Sequence, residues 1–143
     1  MKTVKQVAVF AENKLGQMAR ITEVLSEKGI NIYAMTIASS DTFGVIKFLV
    51  DKPEDACAAL KAKGLTASLN EVLAIEMSDK SGGLFAVAQV LAKNKVNVEN
   101  ASGFVIKPGE TAALIIEVKD VAKAGAMLAK ENLRFFSQEE IVK

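Results

Sequence analysis

Residues 12–18 read ENKLGQM and residues 78–84 read SDKSGGL. The same polar, glycine-bearing phrase thus occurs twice in 143 residues, each time between a short apolar run and a stretch with helical spacing. A constant shift of 66 superimposes more than the phrase itself: Lys14 meets Lys80, Gly16 meets Gly82, Val24 meets Val90, Leu25 meets Leu91 and Asn31 meets Asn97. Val9/Ile75, Ile21/Val87, Ile30/Val96 and Ile32/Val98 agree in kind. Glycine and asparagine are fifteen residues apart in both copies, which fixes the length of the segment between them. An unbroken shift over so many positions marks an internal duplication.

Both copies share one order of elements. Lys5 to Ala11 and Val72 to Met77 alternate in polarity, with Val7 and Val9 on one face of the first and Leu73, Ile75 and Met77 on one face of the second, as strands do. Met18, Ile21, Val24 and Leu25 then fall at helical spacing, as do Leu84, Val87, Val90 and Leu91. The β-branched runs Asn31 to Ser39 and Val45 to Val50 flank SSDTFG, and Val98 to Ile106 and Thr111 to Val118 flank KPGE, so each pair predicts a hairpin. Second helices are expected over Pro53 to Lys63, with proline in the first turn, and over Asp120 to Glu131. Leu65 to Leu69 and Leu133 to Phe136 supply last strands. Strand, helix, strand, strand, helix, strand, repeated, predicts an α+β fold of two tandem ferredoxin-like βαββαβ units, antiparallel sheets with helices on one face. The expected division is 1–70 and 71–143, with almost no linker.

Composition bounds the chemistry. Half of the residues are apolar and about a quarter charged, with 18 basic against 17 acidic side chains, a globular balance with little pull on phosphate. No apolar run approaches the roughly 20 residues of a membrane helix, and MKTVKQ lacks the apolar core of a signal peptide, so a cytoplasmic location without membrane contact is expected. Histidine is absent, which removes the commonest general base near neutral pH and the commonest zinc ligand. The single Cys57, in DACAAL, reads as a small buried hydrophobe. No catalytic residues, metal or cofactor are expected.

The stretches ENKLGQMARITEVLSEKGINI and VLAIEMSDKSGGLFAVAQVLAKNKVNVEN resemble the opening of ACT domains and their second copy in stand-alone tandem ACT proteins. The resemblance spans essentially the whole chain, and departs where many members have proline before the loop glycine, here Leu15 and Ser81. It implies a non-catalytic regulatory protein that binds a free amino acid where two ACT units meet, the loop of one facing the strand start of another. The candidate ligand-binding residues are Asn13, Leu15, Gly16, Gln17, Met18, Asn31 and Ile32 in the first copy, and Asp79, Ser81, Gly82, Gly83, Leu84, Asn97 and Val98 in the second.

Physical chemistry suits these positions. Glycine at 16 and 82 permits positive φ where a helix begins, and the helix N-terminus attracts a carboxylate. Asn31 and Asn97 each offer a donor and an acceptor to a zwitterion. Asn13 and Asp79 have two readings that stand side by side, a helix cap or an acceptor for the ligand's ammonium. Exposed second-strand edges predict pairing of units into an eight-stranded sheet, either within the chain or across a homodimer, and a regulated enzyme is an expected partner. Two other functions are consistent with the pattern. An RNA-recognition face would use TFGVIKF with Phe10, Phe43 and Phe48, although ETAALII replaces that box in the second copy; a structural protein-interaction module would need no ligand.

Overall fold

The computed structural model describes residues 2–142. The chain divides into two compact units, one built on Lys5–Asn70 and the other on Glu71–Ile141 with residues 2–4. The elements are β1 (Val4–Glu12), α1 (Gln17–Glu27), β2 (Ile32–Ser39), β3 (Phe43–Val50), α2 (Pro53–Ala62), β4 (Thr66–Ser78), α3 (Gly83–Lys93), β5 (Asn100–Lys107), β6 (Thr111–Glu117), α4 (Val121–Leu128) and α5 (Gln138–Ile141). The α+β architecture of tandem ferredoxin-like units is the one expected from the repeat.

In the first unit the strands run in the order β2-β3-β1-β4. β1 and β2 both pair antiparallel with β3, placing Val9 and Ile37 on either side of Ile46. The positions that alternate toward the helices form the core: Val7, Val9, Ile46, Phe48 and Val50 from the strands, Ile21 and Leu25 from α1, and Leu60 from α2. Fully burying side chains such as Phe48 and Leu60 contributes roughly 1.5–3 kcal/mol each. Cys57 is buried in this core, as a small hydrophobe would be. Gly29 ends α1: its N–H reaches Ser26 O and the N–H of Ile30 reaches Leu25 O, at φ 66°. These paired bonds satisfy the last carbonyls of the helix.

The second unit repeats this with β4-β6-β5 and a core of Leu73, Ile75, Val87, Leu91, Leu114, Ile116 and Leu128. Three expectations differ. Leu65–Leu69 and Val72–Met77 form one continuous 13-residue strand, β4, because Asn70 and Glu71 between them introduce neither glycine nor proline. The helix expected to run to Glu131 stops at Leu128, and the turn that follows places Glu131 against Asn94 Nδ2 (3.1 Å) and Lys93 Nζ (3.3 Å). The strand expected at Leu133–Phe136 is one bridge, Phe135 to Ile75, flanked by bonds from Glu76 N to Arg134 O and from Phe136 N to Ala74 O. It is cut short by a capping box: Ser137 N donates to Glu140 Oε1 (3.0 Å) and Glu140 N to Ser137 Oγ (3.3 Å), opening α5.

Candidate functional site

The loop between β1 and α1 is shaped by one backbone requirement. Gly16, with φ 83°, is the residue before the helix, and no side chain caps the helix behind it. A helix leaves its first N–H groups without partners in its own ladder. Gln17 N turns back to Lys14 O (3.3 Å), so the N–H groups of Met18 and Ala19 remain for an outside acceptor. Gly82, with φ 88°, does the same before α3.

Neither Asn13 nor Asp79 caps its helix. Asn13 donates from Nδ2 to Ser40 O (3.0 Å) and from its backbone N–H to Thr42 O (2.9 Å), tying the loop to the β2–β3 hairpin. Asp79 Oδ2 accepts the N–H of Gly109 (2.8 Å), and its own N–H donates to Glu110 O (3.2 Å), tying the second loop to the β5–β6 turn. That turn is closed by Glu110 N to Lys107 O (2.9 Å), with Pro108 and then Gly109 (φ 74°) at its centre, the arrangement of a type II turn. Each loop is therefore braced against the hairpin of its own unit.

The first loop overhangs a cavity of about 330 Å³. Its walls include all five first-loop candidates, Asn13, Leu15, Gly16, Gln17 and Met18, with Ala11, Ile37 and Ile46 from the strands beneath. Leu15 is fully exposed at the tip. Asn31 and Ile32 lie elsewhere in the same unit, in a recess at the far end of α1 shared with Thr22, Ser26 and Gly29. Asn31 is held by its backbone, donating N–H to Asp51 Oδ1 (3.0 Å) and accepting Asp51 N–H (3.2 Å). One unit therefore keeps the loop and the strand start apart.

In the second unit Asn97 lines a recess of about 500 Å³ between the ends of α3 and β6, with Lys95, Lys119 and Lys123. Gly83 presses on its own strand, where a Cβ would meet Ser78 O at 2.0 Å. Ser81 and Leu84 flank it on the loop and first helical turn, and Val98 precedes β5. The aromatic trio of the RNA-binding alternative is split: Phe10 and Phe43 are exposed, whereas Phe48 is fully buried in the core. Among the described residues no cluster of His, Cys, Asp or Glu could hold a metal ion, and no helix is long and apolar enough to cross a membrane.

Sequence reasoning missed Gln17's distinctive state and the role of Ala11. Gln17 Nε2 donates to Glu12 O (3.4 Å), while its Oε1 is buried without a hydrogen-bond partner. The 66-residue shift itself holds the signal, since it sets Ala11 against Met77 and Gln17 against Gly83.

Paired βαββαβ units, each with a left-handed glycine at the start of its first helix, are the architecture of tandem ACT domains. The chain belongs to the ACT domain pair family, whose sequence model matches residues 2–143. ACT domain pairs are regulatory modules. A crystal structure of a protein from Bacteroides thetaiotaomicron is similar over 99% of this chain and 96% of that one, with a TM-score of 0.90 and 27% identity. The ligand-free regulatory subunit of aspartate kinase from Thermus thermophilus shares the fold at a TM-score of 0.63 and 16% identity, over 90% of this chain and 91% of that one. No curated protein matches the sequence.

Proposed function

We propose that this protein is a non-catalytic sensor of a free amino acid, bound beneath the β1–α1 loop where a second ACT unit covers the site. The observation that carries this reading is the cavity of about 330 Å³ under the uncapped start of α1. A carboxylate fits there because unpaired N–H groups and the positive end of the helix dipole converge on it. The cavity's size, at the low end for small-molecule sites, suits a ligand no larger than an amino acid. Asn31 and Ile32 are too far round the same unit to join the loop, so a site made of both draws them from different units.

The covering unit comes from a second copy of the chain, paired through the β2 edge, where Ile32, Met35 and Ile37 are exposed. A ligand that touches two bodies favours the arrangement presenting both sets of contacts, and that shift in orientation is what a regulated enzyme would read. The protein works in the cytoplasm in this account. Its test is a thermal-shift screen of the purified chain against the twenty amino acids, with a short RNA pool as comparator. A ligand at 100 times its dissociation constant adds about 2.7 kcal/mol, several degrees in Tm. A selective rise with one amino acid or a related few is expected; a flat amino-acid panel overturns the reading, and a response to RNA alone replaces it. Sedimentation with and without the responding amino acid tests the dimer, which a strict monomer in both conditions refutes.

A further inference from the structure

The two loops are near copies, but the space beneath them differs at three matched positions. Under the first loop stands Ala11, and under the second its counterpart Met77. Met77 is partly buried against the second core, and its Cε lies 3.4 Å from the place a Cβ on Gly103 would occupy. Gly103 is itself the counterpart of Ile37, a wall of the first cavity. The methionine thus takes up the ground that alanine leaves open. At the loop, Gly83 sits so close to Ser78 O that no side chain fits, whereas Gln17 places a whole side chain between its loop and strand.

Gln17 adds a second observation. It is 9% exposed and lines the first cavity, with Nε2 engaged on Glu12 O and Oε1 buried and unpartnered. Leaving a buried acceptor unsatisfied costs about 1–3 kcal/mol, which a donor brought by a ligand recovers. An ammonium is such a donor, and it complements the carboxylate preference of the neighbouring helix start. Of the remaining walls, Ala11, Met18, Ile37 and Ile46 are apolar, and the two charged ones, Glu12 and Lys14, are exposed and pair with each other at 3.9 Å.

Resting on the amino-acid reading above, we infer that the first loop alone binds: one α-amino acid with an uncharged aliphatic side chain per chain, its ammonium read by Gln17 Oε1. The second loop is a brace, closed by Met77 and Gly83. Selectivity then resides in Ala11 and Gln17, and the duplication has left one working site with one structural copy.

The experiment is isothermal titration calorimetry of the full chain with all twenty amino acids, including L-valine, L-leucine, L-isoleucine and L-methionine, and with N-acetyl-L-leucine. One molecule per chain of an aliphatic amino acid is expected, with N-acetyl-L-leucine at least tenfold weaker than L-leucine. Ala11→Met, which imitates the second unit, and Gln17→Met should each weaken binding at least tenfold, Gln17→Glu should retain it, and Phe85→Ala beside the second loop should leave it unchanged. If Ala11→Met fails to fold, the two Gln17 variants decide. Two molecules per chain, preference for a charged amino acid, undiminished binding by Gln17→Met, or loss in Phe85→Ala overturns the inference while leaving the sensor reading intact. No heat with any of the twenty amino acids overturns the sensor reading itself.

Discussion

Lys95 stands at the end of α3 where Gly29 stands at the end of α1, and both have positive φ, 56° and 66°. The bonding is the same: Lys95 N reaches Ala92 O (3.0 Å) and Val96 N reaches Leu91 O (2.9 Å), as Gly29 and Ile30 do on Ser26 and Leu25. A left-handed conformation costs a residue with a Cβ about 1–2 kcal/mol, and part of the gain from glycine is offset by its freer unfolded chain. Lys95→Gly should therefore raise stability by about 0.5–1 kcal/mol, read as an increased midpoint in urea with an unchanged slope.

The two loop glycines make a complementary case. A Cβ at Gly16 or Gly82 would meet nothing within 4 Å, so the only penalty of alanine is its positive φ. Gly16→Ala and Gly82→Ala should each cost about 1–2 kcal/mol in chemical denaturation. Gly83→Ala is of another kind, since its Cβ would strike a backbone carbonyl and the loop must move. A loss of about 1–3 kcal/mol is expected there.

Asn13 and Asp79 brace hairpins, and their removal should be felt in those hairpins. Asn13→Ala should cost about 1 kcal/mol and speed amide exchange at Ser40–Thr42. Asp79→Ala should do the same at Gly109, whereas Asp79→Asn, which keeps an acceptor oxygen, should hold most of the protection. Equal exchange in wild type and both alanine variants would contradict the bracing role.

Much of this was legible in the sequence because the repeat fixes spacing. Gly16 to Asn31 and Gly82 to Asn97 bracket helices of eleven residues each, and the left-handed glycines lie where the repeated phrase put them. The capping reading of Asn13 and Asp79 was open because their partners, Ser40 O and Gly109 N, are 27 and 30 residues away in the chain. Local pattern does not carry such long-range bonds. The capping box of Ser137 and Glu140 is visible as S-x-x-E in the sequence, and by opening α5 it ends the strand expected before it. The difference beneath the two loops depends on what Ala11 and Met77 face across the sheet, which only the folded register supplies.

The chain's final turn should be pH-sensitive. Glu140 is held by the Ser137 N–H and by Lys2 (3.2 Å), with Arg134 alongside, and its carboxyl is pulled down from 4.5 to about 2. A carboxyl lowered on folding adds stability above its unfolded value, and that contribution drains as pH falls from about 4.5 toward 2. Glu140→Gln should be less stable than wild type at pH 7, with the difference closing across that window. A gap of the same size at pH 7 and pH 2.5 would refute the assignment.

Leu15, bare at the tip of its loop, is anchored by no packing. Its codon is consequently free to drift without endangering the chassis beneath. A lineage can change this side chain while inheriting the fold intact, and an experimenter can hang a fluorescent dye there at no structural cost.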